Sequence, residues 1–265
     1  MLGLAAVFAV VMASPFLLMV LNAFKSGEDY SSRGPIAVPT TFSFQAFTDY
    51  LSIVDFPVAL GNSILISTVV AFAGVALSLI SAYPIGVGRV RGSGLILAAL
   101  LLSTMLPHEA LIYPLFYGAQ ATHTFNTVWS VIIVFVVLQG AFGTYLLASV
   151  LGTVPKELIE AAEIDGAGRW QILWRILLPV LMPTLSVLLV FFFIWTWNEF
   201  YIPVVLLSDQ SSQTVPIALS TLRGQHSIDI TVLNAGSLLS LLPTLVFFLI
   251  FQRTLNRGVT AGAVK

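Results

Sequence analysis

The ionisable side chains of this chain, the groups most able to do chemistry, concentrate between residues 156 and 175. Four of the 12 acidic residues and three of the 11 basic residues lie there, although charged residues make up only 9% of the chain. So much charge between very apolar segments indicates a surface that meets water or a partner. The residues are Lys156, Glu157, Glu160, Glu163, Asp165, Arg169 and Arg175.

The positions of the lysines exclude nucleotide hydrolysis by a phosphate-binding loop. Such a loop needs a glycine-rich turn that ends in Gly-Lys, because its backbone amides and its ammonium group hold the phosphates. None of the three lysines, at positions 25, 156 and 265, follows a glycine. Any energy from a nucleotide must therefore reach this chain from another protein.

The chain also lacks the residues that metal-dependent catalysis and nucleophilic catalysis would need. His108-Glu109 begins like a zinc-protease helix, but Ile112 stands where the second ligand would lie one turn on. The chain has no Cys, which excludes a thiolate nucleophile, a disulfide and a Cys-ligated metal. It also lacks the Gly-x-Ser-x-Gly elbow of a serine hydrolase. We predict a protein that is not an enzyme and binds no metal or cofactor itself.

The composition places the chain in a lipid bilayer. It is 58% hydrophobic with a mean hydropathy of +0.98, whereas soluble domains carry about a quarter charged residues. A transmembrane helix needs about 20 mostly apolar residues, because each residue rises about 1.5 Å across a hydrocarbon core of about 30 Å. We predict an all-α membrane protein with a single domain and six spans: residues 2–24, 58–82, 93–116, 127–151, 180–207 and 230–251.

The segments between the spans carry weaker signals. Residues 25–57 are expected to form an exposed loop with at most short local structure. Pro107 and Pro114 predict a kink in the third span. The first span has no basic residue before it, so we expect an uncleaved span with a short or trimmed N-terminus rather than a signal peptide.

The lysines and arginines predict the orientation, because cytoplasmic loops carry an excess of them. With the C-terminus inside, eight of the 11 basic residues fall on the cytoplasmic side, including those of the charged stretch and of the tail, residues 252–265. Six spans then leave both termini in the cytoplasm. A net charge of −1 shows no basic excess that would favour nucleic acid.

The loop at residues 152–179 contains clear helix signals. Pro155 and Glu157 favour a helix start, and Gly166 favours a stop, which predicts a short helix over 156–165. A second helix is expected from Arg169, with Trp170, Leu173, Trp174 and Leu177 on one apolar stripe. Two interpretations remain open: this pair of helices docks into a partner, or it lies in the membrane interface.

Two carboxylates fall within predicted spans, where an ionisable group is costly and by default marks a pathway or a buried pair. They are Glu109 and Glu199, and the latter follows Trp197 and Asn198. We treat all four as candidate pathway residues. The alternative is that the carboxylates lie at the outer interface and that the tryptophan belongs to an aromatic belt.

The spacing of the charged loop resembles a known motif. Glu160-Ala161-Ala162, then Gly166, then Ile176-Leu177-Leu178-Pro179 is similar to the EAA loop of bacterial ABC importer permeases. Further segments resemble the carbohydrate-uptake permeases of the MalG-like type: Asn62-Ser63, Ala82-Tyr83 before Arg89, Trp197-Asn198-Glu199-Phe200 with Pro203, Arg253, and the tail from Gly258 to Lys265.

The resemblance implies a type I importer permease with the MetI-like architecture, located in the bacterial inner (plasma) membrane. It implies transport of a sugar or sugar-like solute into the cytoplasm. The implied partners are a second homologous permease subunit, two MalK-like ATPase subunits and an extracytoplasmic solute-binding protein. ATP and Mg would be bound by the ATPase subunits and not by this chain.

The resemblance also implies which residues couple the permease to the ATPase. The loop would form a coupling helix in a cleft of that partner, with Leu173 and Trp174 as an apolar plug. Leu173 stands where the family often has Phe, which would soften the contact. The implied coupling residues are Glu160, Ala161, Ala162, Asp165, Gly166, Ala167, Leu173, Trp174, Ile176, Leu178 and Pro179, and the implied tail contacts are Thr260, Ala261, Gly262, Ala263 and Val264.

Two other functions would place different demands on the sequence. A self-sufficient secondary carrier or channel would need paired charges inside the membrane, and no basic partner for Glu109 or Glu199 is evident in the sequence. A membrane scaffold without a pathway would leave the EAA spacing unexplained.

Overall fold

The computed structural model describes residues 2–88, 90–222 and 229–263, and every regular element in these ranges is a helix. A π-helical segment (Ile172–Leu177) joins α9 to α10, and a single 3-10 turn covers Gln210–Ser212. The α-helices are α1 (Leu2–Ala23), α2 (Gly27–Arg33), α3 (Gln45–Ile53), α4 (Phe56–Gly86), α5 (Ser93–Thr104), α6 (His108–Ala121), α7 (Val128–Leu151), α8 (Lys156–Ile164), α9 (Arg169–Gln171), α10 (Leu178–Asn198), α11 (Tyr201–Leu206), α12 (Val215–Thr221) and α13 (Ile230–Ala263).

Within the described ranges, five helical stretches are long and apolar enough to cross a membrane, and a bent pair would make a sixth. The pair is α5 and α6, which meet at an angle of 94°. The kink predicted in the third span is therefore a full break. Pro107 is the N-cap of α6, where its missing N–H costs nothing, while Pro114 is accommodated inside the helix.

The fifth span ends earlier than predicted. Instead of continuing to residue 207, α10 ends at Asn198, and a separate short helix, α11, begins at Tyr201. Pro203 explains the break, because its ring clashes with the carbonyl group four residues earlier, that of Glu199. The loop predicted over 25–57 does carry only short structure, namely α2 and α3.

The chain packs as two compact units. One consists of Met1–Asn62 with Asp209–Phe247, and the other of Ser63–Ser208 with Phe248–Lys265. In the first unit, the buried ring of Tyr50 lies so close to Gly236 that a side chain there would collide with it. The expectation of a single membrane domain for the whole chain stays a prediction.

The core of the second unit holds the charged loop in place. It is built from apolar side chains of α4, α7, α8, the π-helical segment and α10. α4 and α7 approach closely at Gly143, where an added Cβ would collide with Ser78 and Phe192. Large buried residues such as Leu147, Leu177 and Leu181 fill the space between these helices. The short helix α8 is thus packed against long apolar helices and is not a free loop.

Candidate functional site

The predicted short helix of the charged loop is present as α8, Lys156–Ile164. Pro155 is its N-cap and Glu157 lies in its first turn, where a carboxylate is favoured by the positive end of the helix dipole. The boundaries agree with the prediction of 156–165 to within one residue. Local signals therefore predict where this element begins and ends.

α8 ends in a Schellman motif centred on Gly166. The backbone N–H of Gly166 donates to the carbonyl of Glu163 at 3.0 Å, and that of Ala167 donates to the carbonyl of Ala162 at 2.9 Å, which is the pair of bonds that defines the motif. Gly166 has φ of +80°, a left-handed conformation that costs other residues about 1–2 kcal/mol. The predicted stop is confirmed, and Asp165 is the C-cap, exposed to solvent.

The inner face of α8 binds it to the core. Ile159 and Ala162 are buried and belong to the same cluster as Leu147 and Leu151 of α7. Ala162 is one of the implied coupling residues, and its small side chain lets α8 lie against this chain's own helices. Ala161 is exposed on the other side. Any force applied to α8 therefore reaches α7 through packed side chains.

The outer face of α8 combines apolar side chains with acids. Ile164 is 85% exposed, and Leu158 and Ala161 are also exposed. The exposed acids Glu157, Glu160, Glu163 and Asp165 surround them. We call Leu158, Ala161 and Ile164 with these four acids the docking face. Sequence reasoning missed Ile164, although an isoleucine directly before the helix stop was a signal that could have been used.

A groove of about 1000 Å³ runs beside the docking face. Tyr83 and Val87 line it from α4 and the residues after it, Glu160 and Glu163 line it from α8, and Trp170 lines its far side. This volume is at the upper end for sites that take a small molecule, and it is open enough for the side chains of a protein. Glu160 therefore lies where the groove meets the docking face.

The second predicted helix is present, but its apolar stripe is divided. Leu173 and Leu177 are buried in the core, whereas Trp170 and Trp174 are exposed. Leu173, implied as part of an apolar plug, is 1% exposed within this chain's core and borders the groove, so its role in the plug stays a prediction. Consecutive residues of a helix point in directions about 100° apart. The core therefore covers the edge of the stripe that carries Leu173 and leaves the edge that carries Trp174 exposed.

The second predicted helix continues from α9 as a π-helical segment, Ile172–Leu177, which leads into α10. Such segments are rare and often occur at functional sites. The last three predicted coupling residues lie in it or directly after it: Ile176 and Leu178 are half-buried, and Pro179 is exposed. Ala167, before α9, is half-buried against the core. The loop is thus continuous with the fifth span through an irregular helical turn.

The predicted tail contacts lie at the C-terminal end of the chain, in and after α13. Thr260, Ala261, Gly262 and Ala263 form the end of α13, and the placement of their side chains is outside the described part of the chain. Val264 lies outside the described residues altogether. Their role stays a prediction.

The four candidate pathway residues differ in how far their side chains are exposed. Glu109 and Asn198 are exposed, and Asn198 Nδ2 donates to the carbonyl of Ile194 at 2.7 Å. Trp197 is buried and stacks on Phe193, with ring centroids 5.9 Å apart, so it presents no free face to a solute in this conformation. Glu199 is mostly buried and lies near the break between α5 and α6.

Glu199 has a basic neighbour that the sequence did not reveal. His108 Nδ1 lies 3.4 Å from Glu199 Oε2, an ion pair when the imidazole is protonated. The same carboxylate accepts the backbone N–H of Tyr201 at 3.1 Å. The sequence showed no evident basic partner for Glu199, because His108 stands 91 positions away and is brought close by folding.

A polar cluster surrounds His108. Its ring lies parallel to that of Trp195 at 6.3 Å, and Gln139 Nε2 donates to Thr196 Oγ1 at 2.8 Å. Gln139 Oε1 is buried and accepts no hydrogen bond from the described residues. A cavity of about 20 Å³ lies among these side chains, which is room for about one water. We call His108, Gln139, Trp195, Thr196 and Glu199 the polar cluster.

Comparison with known proteins identifies the family to which this architecture belongs. Residues 74–261 match the family described as "Binding-protein-dependent transport system inner membrane component". The Escherichia coli (strain K12) "Inner membrane ABC transporter permease protein YcjP" is 29% identical over 262 residues, which cover 98% of this chain and 94% of that protein. The "Trehalose/maltose transport system permease protein MalG" of Thermococcus litoralis is 30% identical over 264 residues, with coverage of 98% and 94%.

A solved structure shares the fold. It is the crystal structure of a bacterial ABC transporter involved in the import of the acidic polysaccharide alginate, with a TM-score of 0.79 at 20% identity over 94% of this chain and 93% of that chain. The predicted all-α, MetI-like architecture and the resemblance to ABC importer permeases are thereby confirmed. The chain belongs to the family of binding-protein-dependent transport system inner membrane components.

Proposed function

We propose that this chain is the permease subunit through which an ATP-driven importer moves a sugar or sugar-like solute into the cytoplasm. The family and the trehalose/maltose permease among its relatives support the class of cargo. The proposed assembly contains a second homologous permease, two ATPase subunits that bind ATP and Mg, and an extracytoplasmic solute-binding protein. Both termini and α8 lie on the cytoplasmic side, as the distribution of basic residues predicts.

The observation that carries this proposal is the two-sided packing of α8. Its inner face is fixed to α7 and the fifth span through Ile159 and Ala162, while its outer face presents the 85% exposed Ile164 among acids. An isolated exposed isoleucine is unremarkable, but here it lies on a rigid helix beside a large groove. The arrangement suits a cleft of the ATPase that receives Ile164 and pairs basic groups with the acids.

Transport by the assembled complex tests this function against a self-sufficient carrier. The chain is reconstituted into vesicles with its companion permease, its ATPase and its binding protein, and solute uptake is measured. We expect uptake to require ATP on the side of the membrane where the ATPase subunits lie. We expect no uptake by vesicles that contain this chain alone. Uptake by this chain alone under an ion gradient would establish the carrier instead.

We place the solute pathway beside the polar cluster. The cluster lies where α6 begins after the break and where α10 ends, so a shift between these two elements changes the distance between His108 and Glu199. Its parts are suited to a sugar, since an aromatic face and hydrogen-bonding groups lie together. A hydroxyl group could donate to the unfilled Gln139 Oε1.

Substituting Glu199 with Gln tests the pathway. The amide keeps the size of the side chain and can still accept the N–H of Tyr201, but it cannot pair with a protonated His108. We expect uptake to fall roughly fivefold, which corresponds to about 1 kcal/mol. Glu28→Gln is the matched control, because Glu28 is an exposed glutamate in α2, outside the predicted spans and the polar cluster. Equal uptake by wild type and Glu199→Gln would remove the polar cluster from the pathway.

A further inference from the structure

The segment that follows α2 exposes large apolar side chains. Ile36 is 78% exposed and Phe42 is 73% exposed, and Val38 and Phe44 are also exposed. They lie within nine residues of one another in a part of the chain outside the predicted spans. Contiguous apolar surface of this kind marks contact with a membrane or with a protein. The position of the segment decides between these occupants.

Lys25 fixes the first end of this segment. Its side chain is completely buried, and its Nζ donates to Asn22 Oδ1 at 2.9 Å and to the carbonyls of Gly34 and Pro35 at 2.8 and 3.3 Å. An ammonium group has three donors, so these three oxygens accept a hydrogen bond from each of them. Asn22 belongs to α1. Residues 34 and 35 are therefore held at the C-terminal end of α1.

A second contact fixes the other end. The backbone N–H of Ser43 donates to the carbonyl of Phe24 at 2.9 Å. The ring of Phe24 also contacts those of Phe42 and Phe44, with centroids 6.0 and 5.4 Å apart. Both ends of the segment thus meet the chain immediately after α1. Ile36, Phe42 and Phe44 each lie within one residue of an anchored position.

The end of α1 is a membrane boundary. Its apolar stretch Gly3–Ala23 is 21 residues long, which matches the thickness of the hydrocarbon core. Residues 24 and 25 consequently lie where the hydrocarbon core gives way to headgroups. The exposed side chains follow directly on the exposed apolar surface of α1, whose length matches the hydrocarbon core, and this position favours lipid as their occupant.

We infer that Ile36, Phe42 and Phe44 form an apolar collar that inserts into the bilayer interface at the C-terminal end of α1. The collar offers lipid no free cation, because Lys25 is buried and Arg33 pairs with Asp29 at 3.6 Å. Insertion is therefore driven by burial of apolar surface and not by attraction to anionic headgroups. The buried Lys25 acts as the clamp that holds the collar at this depth.

A single environment-sensitive fluorophore tests the collar. Since the chain has no Cys, Phe42→Cys can be labelled alone in the complete complex in nanodiscs of zwitterionic phosphatidylcholine. We expect blue-shifted emission that is quenched by lipids carrying a nitroxide and not by iodide in the water. Glu28→Cys is the matched control, because Glu28 is charged and exposed in α2, and its label should respond to iodide alone.

The clamp has its own test in the same assay. Lys25→Met keeps an apolar stem but removes the three hydrogen bonds, so the label at residue 42 should lose its quenching by lipid. Phe44→Cys provides a second labelled position with the same expectation as Phe42→Cys. Quenching by iodide at both positions would overturn the inference. So would shielding from iodide that arises only when the companion permease or the binding protein is added.

Discussion

Replacing Ile164 with Glu is expected to abolish ATP-driven uptake while leaving the subunit folded and inserted. Ile164 is 85% exposed, so a charged side chain costs the isolated subunit little. In the proposed complex with the ATPase the same position would be buried, and an unpaired buried charge costs about 3 kcal/mol or more. A loss of 3 kcal/mol weakens docking by about a hundredfold. Uptake and solute-stimulated ATP hydrolysis should therefore fall together.

The matched control is Ile164→Leu, which conserves volume and hydrophobicity and should retain most of the activity. Co-purification of the variant with the companion permease shows whether the subunit itself is intact. If Ile164→Glu were inserted, co-purified with its ATPase and transported normally, the docking face would have to lie elsewhere on the loop.

Gly166→Asp is expected to have the second large effect, again on uptake more than on folding. The left-handed backbone at Gly166 costs a side-chain-bearing residue about 1–2 kcal/mol, which a packed helix such as α8 tolerates. No atom lies within 4 Å of the position that a Cβ would occupy, so the new carboxylate projects outward beside Asp165 and Ile164. It would meet the partner and add a fifth negative charge to the docking face.

Gly168→Asp controls for the chemical change. Gly168 is also exposed and lies two residues further on, but its φ of −71° is allowed for any residue. Gly168 lines the groove but lies further than Gly166 along the chain from Ile164, so we expect a clearly smaller loss of uptake than for Gly166→Asp. Equal loss of uptake in both variants would mean that any added charge in the turn is harmful, and the specific role of Gly166 would be withdrawn.

The sequence predicted those parts of the site that depend on neighbouring residues. The bounds of α8 follow from Pro155 and Gly166, which act on their own backbone through the geometry of proline and glycine. The long apolar runs predicted the spans because the bilayer sets their length. The EAA spacing predicted the family because it combines these local signals at fixed distances.

Other parts depend on contacts between residues that are distant in the sequence. The pairing of His108 with Glu199 arises only when α6 and α10 meet, and no local pattern encodes it. The division of Leu173 from Trp174 depends on which edge of a helical stripe the core covers. The exposure of Ile164 likewise depends on Ile159 and Ala162 facing the core.

The central claim is that the outer face of α8 contacts the ATPase subunit, and crosslinking from residue 164 tests it most directly. A photoreactive maleimide on Ile164→Cys is activated in the complete complex, and the product is identified by mass. We predict a covalent product with the ATPase subunit. An equivalent label on Ile159→Cys should react poorly, because Ile159 is buried in this chain's core. Crosslinks from residue 164 to lipid alone, with the ATPase present in the complex, would contradict the account.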